Sequence, residues 1–364
     1  MVNLYVFDNL RSGGGKSVGL NYLKKIIVED TSAFFMLPND EDYLEIAKSH
    51  SSAKKFIIID NPRKYRVNIF KILEISKFIK QNKIKKIVNF TNMPLIIPRV
   101  YQILMIHKAQ LLLPIKNDYI QYNFFEKLKM SLDKFFLSLC LNTKIVKHII
   151  VQTNFMKNEL LKSYDFKGDI SIIPSGYDSI DTNKIIFENP YNLSSNFKFF
   201  VPTSDAKHKN IEYIIEVTKK AKKENMKIEF HVTLSEDSEF GATVKQEKLT
   251  DYIIFYNQID YFKIHNYYKS SDGVFLPTFL ESFCLPYVEG ISTKKNILTS
   301  DRPFAREICK EAGWYFDPLD AKSGIKVIKE YIEFIKKTPN QSNMPKIYSW
   351  KESYEMLRWI INKY

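Results

Sequence analysis

Short apolar runs alternate with longer amphipathic stretches along the chain, and this alternation limits the fold more than any other feature. The runs have the length and the Val, Ile and Phe content of buried strands, and apolar residues recur between them at helical spacing. The predicted strands are 2–7, 56–60, 84–90, 100–106, 148–151, 170–173, 197–201, 228–233, 252–256, 273–276 and 296–299. Strands that alternate with helices form parallel sheets, so we predict an α/β fold with functional side chains at the carboxyl ends of the strands.

Length and composition indicate a globular protein of two domains, because 364 residues provide material for two cores. No stretch reaches the roughly 18 apolar residues of a membrane span, and the N-terminus lacks the basic start and cleavage site of a signal peptide. The three cysteines lie far apart, which fits a reducing cytoplasm and argues against a structural zinc site. We therefore predict a cytoplasmic protein.

The net charge of +13 indicates either an anionic partner or a compositional bias towards lysine. Nucleic acid, a nucleotide substrate and an anionic lipid surface would each explain it. Lys and Arg are spread along the chain and no signature of a nucleic-acid-binding module occurs, so we predict no nucleic-acid partner.

Two glutamates eight residues apart, Glu281 and Glu289, follow the apolar run 273–276. Ser282 is the predicted N-cap of a helix that begins between them. A helix N-terminus binds phosphate, and eight helical residues span ~12 Å, roughly the length of a sugar–diphosphate–ribose unit. The glutamates could therefore hold hydroxyl groups at the two ends of such a ligand. The alternative is a polar loop followed by a core helix.

A second predicted anion site follows the strand 197–201. Lys209 precedes Asn210, which is the predicted N-cap of a helix with apolar residues at helical spacing. A cation and free N–H groups at one helix start favour binding of an anion. The alternative is a solvated lysine.

The glycine-rich segment 12–17 follows the first predicted strand, and three adjacent glycines allow a backbone to approach a bulky ligand. Gly15-Lys16-Ser17 ends like a P-loop, but Leu10 stands where that motif requires its first glycine. A P-loop nucleotide hydrolase is therefore a competing interpretation. His107 ends the strand 100–106, where either a structural or a functional role is possible. Asp40-Glu41-Asp42 is interpreted as the first turn of a helix capped by Asn39, rather than as a metal site.

The segment 124–141 is predicted to be a helix with an apolar face formed by Leu128, Leu132, Phe135, Phe136 and Leu139. The interpretation that we favour places this face against the core. Several lysines lie beside it, so contact with an anionic membrane surface is the alternative.

The second half resembles the donor domain of family-4 retaining glycosyltransferases, which have the GT-B fold. The resemblance rests on four segments, 208–210, 277–289, 301–307 and 315–318, of which the second contains a Glu-x7-Glu motif. The first half is similar more weakly, through 12–15, 107, 149–153 and 173–178. The sequences of these motifs resemble those of bacterial O-antigen and capsule polysaccharide transferases.

This resemblance implies a role for each matching residue. Glu281 would contact the hydroxyls of the donor sugar and Glu289 those of the ribose, while Lys209 would neutralise the leaving diphosphate. Backbone N–H groups near Phe283, Cys284 and Leu285 would hold phosphate oxygens. Gly14 and Gly15 would line the ligand cleft, and His107 would face the donor sugar. Such enzymes need no metal and no cofactor, since cationic groups and helix dipoles stabilise the leaving group.

The chain departs from this family at three places, of which one is the segment 290–296, which lacks the usual Gly-x-Pro, and two are donor-site positions. Many relatives place an Arg five residues before the phosphate-binding Lys, and Ser204 stands at that position here. Lys207 or Arg306 could supply the missing charge, so Ser204 and Arg306 are included among the candidate donor-binding residues. Relatives also usually have Gly where this chain has Cys284.

We therefore predict two facing Rossmann-like domains of the GT-B fold with a cleft between them: an acceptor domain over 1–185, a donor domain over 186–345, and a last helix over 346–364 that crosses back to the first domain. The predicted activity is retaining transfer of a hexose from a UDP- or GDP-linked donor to a glycan. The expected acceptor is an undecaprenyl-diphosphate-linked O-antigen or capsule unit at the inner face of the plasma membrane. A non-catalytic, glycan-binding version of the fold is the remaining alternative.

Overall fold

The structure, a computed structural model, describes residues 2–50, 55–62, 68–114, 120–177, 187–192, 194–338 and 344–364. The chain divides into two compact units. The first comprises 1–116, 122–176 and 348–364, and the second comprises 117–121 and 177–347, within which only the described residues are discussed. The domain boundary predicted between 185 and 186 falls at the edge of a segment, 178–186, that lies outside the described residues.

Seven parallel strands form the described sheet of the first unit, in the order β3-β2-β1-β4-β5-β6-β7. The strands are β1 Val2–Val6, β2 Phe34–Pro38, β3 Phe56–Ile59, β4 Ile84–Asn89, β5 Tyr101–Met105, β6 Val146–Val151 and β7 Asp169–Ile172. The helices are α1 Gly13–Glu29, α2 Glu41–Ser49, α3 Ile69–Gln81, α4 Phe124–Asn142 and α5 Asn154–Ser163. The strand order reverses between β1 and β4, which is where ligands bind in open α/β sheets.

Six parallel strands form the described sheet of the second unit, in the order β10-β9-β8-β11-β12-β13. The strands are β8 Phe197–Val201, β9 Ile228–Val232, β10 Ile253–Phe255, β11 Gly273–Leu276, β12 Ile297–Ser300 and β13 Gly313–Phe316. The helices are α6 Glu212–Lys223, α7 Glu239–Gln246, α8 Tyr261–Ser270, α9 Leu285–Ser292, α10 Pro303–Cys309 and α11 Ala321–Lys337. Here the order reverses between β8 and β11.

The last helix, α12 Trp350–Lys363, belongs to the first unit. Trp350, Tyr354, Leu357 and Ile361 lie in the same buried cluster as the apolar face of α1. The Ser349 hydroxyl accepts a hydrogen bond from the N–H of Glu352, whose carboxylate accepts one from the N–H of Ser349, so a capping box begins this helix. The predicted core stripe is therefore confirmed.

The two parallel, Rossmann-like sheets confirm the predicted fold class, but the orientation predicted for α4 is wrong. Leu128, Leu132, Phe135 and Leu139 are exposed and Phe136 is half-buried. The helix instead packs through a second apolar face, formed by Met130, Leu137, Cys140 and Leu141. Among the described residues, no helix combines the length and the apolar character that a membrane crossing needs.

Candidate functional site

Two loops at the reversal point of the second sheet are held together by hydrogen bonds. One loop follows β8 and contains a 3-10 turn, Lys207–Lys209, and the other follows β11. The N–H of Phe279 donates to the backbone oxygen of His208 over 2.8 Å. The Thr278 hydroxyl lies 2.9 Å from the same oxygen. Because β8 and β11 are adjacent strands, their carboxyl ends bring the segments around 209 and 281 together.

Lys209 and Glu281 form a largely buried ion pair between these loops. The Lys209 Nζ lies 2.6 Å from Oε1 of Glu281, and their side chains are only 17% and 11% exposed. The Thr278 Oγ1 lies 3.0 Å from the same carboxylate oxygen, so its single proton serves either Glu281 or His208. The structure thus joins two residues that are 72 positions apart in the sequence.

The electrostatics of the pair favour a charged Lys209. Burial by itself lowers the pKa of the Lys209 ammonium, but the Glu281 carboxylate raises it, and the net pKa lies above the ordinary lysine value. Burial lowers the pKa of the neighbouring His208 imidazole, so this ring is neutral at pH 7. Lys209 therefore supplies a largely buried positive charge to this loop pair, held in place by the Glu281 carboxylate.

The predicted cap at Asn210 is wrong. The helix α6 begins at Glu212, and Asn210 closes the preceding 3-10 turn with a left-handed backbone, at φ 54°. Its side-chain amide donates to the backbone oxygen of Pro318 over 3.1 Å. Asn is among the few residues that tolerate this backbone region, which explains its presence at the turn.

The predicted cap at Ser282 is also wrong, because α9 begins at Leu285 and its N-cap is Cys284. Pro286 occupies the second position of the helix, where a missing N–H removes no helical hydrogen bond. The N–H of Tyr287 donates to the Cys284 backbone oxygen over 3.0 Å. The helix thus begins two residues later than a cap at Ser282 predicts, and the ~12 Å helical span estimated between the two glutamates does not apply.

Glu289 lies in α9 and is oriented by the neighbouring helix α8. The Tyr268 hydroxyl donates to its Oε2 over 2.6 Å. Burial raises the pKa of the Glu289 carboxyl group, and the hydrogen bond from Tyr268 opposes that rise. Two contacts were not predicted from the sequence: that of Tyr268 with Glu289, and the position of the Thr278 hydroxyl between His208 and Glu281. Thr278 lies within the motif that carries the resemblance, whereas nothing in the spacing links Tyr268 to Glu289.

Cys284 has a left-handed backbone, with φ 64°, at the start of α9. Glycine adopts this region without strain, whereas other residues are strained there by about 1 kcal/mol or more. The Cys284 thiol is buried, and burial raises its pKa well above the ordinary value, so the thiol stays protonated at pH 7. The residue that departs from the family pattern therefore sits where the backbone favours glycine.

Substitutions at Cys284 should separate backbone strain from side-chain chemistry. Cys284→Gly should change the free energy of unfolding by less than about 1 kcal/mol, since relief of strain offsets the greater freedom of the unfolded chain. Cys284→Val should destabilise the protein by about 2 kcal/mol or more, because a β-branched residue is poorly tolerated at positive φ. Urea unfolding of both variants checks this; equal stability of the two would contradict the left-handed backbone.

Of the remaining donor-site candidates of the second unit, Phe283 is buried and Leu285 is half-buried, whereas Ser204 and Arg306 are exposed. Ser204 is exposed and its backbone oxygen accepts a hydrogen bond from the Thr203 hydroxyl. The Arg306 guanidinium binds the Asp301 carboxylate, with 2.5 Å between Nε and Oδ1, and stacks over the ring of Tyr315. The Arg306 guanidinium is therefore already paired with a carboxylate, that of Asp301, which lies just before the start of α10.

A separate group of candidates lies in the first unit, around the glycine turn at the start of α1. Gly13 has a left-handed backbone at φ 59°. A Cβ atom added at Gly14 would meet no atom within 4 Å, and one at Gly15 would lie 3.7 Å from Nε2 of His107. Both ring nitrogens of His107 are buried without a hydrogen-bond partner among the described residues, and burial lowers its pKa to about 4. A neutral, buried imidazole thus lies next to the glycine turn at the start of α1.

The geometry around Lys16 differs from that of a P-loop. The helix α1 already begins at Gly13, so the residues that would wrap a phosphate lie in its first turn. The Lys16 ammonium is bound by Asp40 at 2.9 Å and by Asp42 at 2.7 Å, so two carboxylates oppose its use for phosphate. Asp40, rather than the predicted Asn39, is the N-cap of α2.

Comparison with known proteins gives one family match and one match to a curated relative. Residues 181–346 match the family model described as glycosyl transferases group 1. The chain is 22% identical over 196 residues to the O-antigen chain mannosyltransferase RfbU of Salmonella typhimurium. That match covers 52% of this chain and 52% of the relative, so the chain spans about half the length of the curated relative that it matches.

Solved structures resemble the chain over its whole length. The Anabaena Alr3699/HepE complex with UDP aligns at a TM-score of 0.72 and 12% identity, covering 100% of both chains. WaaG, a glycosyltransferase involved in lipopolysaccharide biosynthesis, aligns at a TM-score of 0.63 and 14% identity, covering 92% of this chain and 90% of that one. Residues 181–346 therefore resemble glycosyl transferases group 1, in a chain whose two Rossmann-like sheets have the GT-B fold.

Proposed function

We propose that this protein is a retaining glycosyltransferase that moves a hexose from a nucleotide diphosphate sugar to a glycan acceptor. The observation that carries the proposal is the buried pair of Lys209 and Glu281 at the reversal point of the second sheet, beside the start of α9. Departure of a nucleoside diphosphate develops negative charge on phosphate oxygens. An ammonium group and a helix N-terminus can stabilise that charge without a metal ion.

We propose a role for each atom of the pair from the contacts that it makes. An ammonium has three N–H donors, so Lys209 can hold Glu281 with one and reach diphosphate oxygens with the others. Among the described residues both contacts to Glu281 use Oε1, so we assign Oε2 to hydroxyls of the donor sugar. Glu289, fixed by Tyr268, is assigned to the ribose hydroxyls. In retaining transfer by front-face attack, a donor phosphate oxygen would take the proton of the acceptor hydroxyl.

The substrates that we propose follow from the relatives. RfbU is an O-antigen chain mannosyltransferase, which supports a hexose donor and an O-antigen acceptor. The HepE structure contains UDP, which supports a UDP-linked donor, with a GDP-linked donor as the other candidate. The acceptor that we propose is an undecaprenyl-diphosphate-linked O-antigen or capsule unit, which would place the enzyme on the cytoplasmic side of the plasma membrane.

A thermal-shift panel of UDP-, GDP- and ADP-sugars tests the proposal. A ligand at 100 times its dissociation constant should stabilise the native state by ~2.7 kcal/mol, which is several degrees in melting temperature. We expect one nucleotide series to produce this shift and Lys209→Ala to abolish it. Magnesium-dependent release of phosphate from ATP or GTP that requires Lys16, without any shift by a nucleotide sugar, would favour the hydrolase instead. Donor binding without transfer to any glycan would favour the glycan-binding alternative.

A further inference from the structure

Helix α4 of the first unit exposes an apolar stripe to solvent. The stripe is formed by Phe124, Phe125, Leu128, Leu132, Phe135 and Leu139, each at least 46% exposed. The helix is firmly defined, because Asn123 and Glu126 form a capping box at its start and it runs for 19 residues, or ~28 Å. Isolated exposed apolar side chains are ordinary, whereas a contiguous set marks an interaction surface.

The stripe is a continuous face rather than a scatter of residues. At roughly 100° of rotation per residue, its six members fall within an arc of about 100°. The residues that face the core, Met130, Leu137, Cys140 and Leu141, lie on the opposite side of the same helix. The helix is therefore apolar on two opposed faces, of which one is buried and the other is exposed.

A second exposed apolar set lies on the same side of the sheet. The start of α3 exposes Ile69, Phe70 and Leu73, at 59%, 77% and 57%. Right-handed connections between parallel strands place α3 and α4 on one face of this sheet and α1 and α2 on the other. These two helices carry nine of the fifteen large apolar side chains that are exposed among the described residues, so exposure is concentrated on one side of the unit.

Basic residues border the stripe of α4. Lys127 and Lys129 are exposed and lie on its two sides by helical rotation, and Lys144 and Lys147 are exposed just beyond the end of the helix. An amphipathic helix with Phe and Leu on one face and lysines at its margins is typical of proteins that lie in a membrane interface. We propose that this stripe, with the exposed start of α3, docks the protein on an anionic lipid bilayer.

Charge complementarity favours lipid over a second copy of this chain. A second copy docked on the stripe would bring its own bordering lysines to the same interface, and like charges within one interface oppose association. Anionic headgroups instead neutralise all of these lysines while the Phe and Leu side chains enter the acyl boundary. Lipid binding needs no donor or acceptor, so its outcome is independent of the proposed glycosyl transfer.

Liposome flotation of the full chain tests the surface. We expect the wild type to float with vesicles that contain roughly one third phosphatidylglycerol in phosphatidylcholine, and to float weakly with phosphatidylcholine alone. The double variant Leu132→Ser/Phe135→Ser removes exposed side chains only, so it should fold, and it should lower the vesicle-bound fraction about tenfold. The matched control, Val28→Ser/Trp359→Ser, removes two exposed apolar residues of α1 and α12 and should bind like the wild type.

A charge series completes the experiment. Lys127→Glu/Lys129→Glu should weaken binding to the anionic vesicles, whereas Lys322→Glu/Lys326→Glu, the same change of charge on α11, should not. High salt should weaken the wild-type interaction, as expected for screened charges. Equal flotation of the wild type and Leu132→Ser/Phe135→Ser would overturn the proposal. It would also be overturned if the wild type failed to float and light scattering showed a dimer that this double variant abolished.

Discussion

Lys209→Ala and Glu281→Ala should each lower turnover of the nucleotide-sugar donor by well over tenfold. Without Lys209 the ammonium that is paired with Glu281 no longer neutralises the departing diphosphate, and without Glu281 both the proposed sugar contact and the position of Lys209 are lost. A tenfold loss corresponds to about 1.4 kcal/mol of transition-state stabilisation, which is modest for a charged group aimed at developing charge. Steady-state kinetics with the donor that the thermal-shift panel identifies would measure the effect.

The control for this experiment is Lys326→Ala, which removes a lysine of the same unit that is 76% exposed. Its turnover should stay close to that of the wild type, so a general effect of lost positive charge is separated from an effect at the site. Circular dichroism must show that Lys209→Ala and Glu281→Ala are folded at the assay temperature. Wild-type kinetics for both variants would remove the assignment of the site.

The sheet architecture could be predicted because it depends on local pattern. Runs such as 273–276 are apolar at every position, which is how a strand covered on both faces appears in a sequence. The predictions missed β2 and β13. β13, Gly313–Phe316, is short, begins with a glycine and is half-buried at three of its four positions. β2, Phe34–Pro38, ends in a proline that marks a turn or an edge.

The helix caps predicted at Asn210 and Ser282 are wrong, and at Asn210 the reason is a contact with a distant part of the chain. Asn210 looks like an N-cap by residue type, yet its amide binds the backbone of Pro318, 108 positions away. The apolar face predicted for α4 illustrates a related problem. Periodicity locates an apolar face, but it cannot decide which of two such faces meets the core. Both errors arise where residues far apart in the sequence determine the local structure.

The site itself was predicted as a set of residues but not as a geometry. Motif spacing brought Glu281, Glu289 and Lys209 into the list of candidates. It gave no sign that Lys209 and Glu281 bind each other, since adjacency of β8 and β11 in the sheet creates that contact. The ion pair should also affect the free energy of unfolding, separately from any effect on catalysis.

A double-mutant cycle on Lys209 and Glu281 should reveal strong coupling in stability. Removal of one member leaves the other charge largely buried without its partner, and Lys209→Ala or Glu281→Ala should therefore destabilise the second unit by about 3 kcal/mol. Removal of both leaves no unpaired charge, so the double variant should be more stable than the sum of the single effects by at least about 1 kcal/mol.

The measurement must report on the second unit alone, because two units do not guarantee a single unfolding transition. The chain contains three tryptophans, of which Trp314 lies in the second unit and Trp350 and Trp359 lie in the first. Fluorine NMR of protein labelled with 5-fluorotryptophan therefore follows urea unfolding of each unit separately. The signal of Trp314 should shift to lower urea concentration in both single variants, and those of the first unit should report no direct effect. Additive single and double effects at Trp314 would mean that the two charges do not depend on each other for stability.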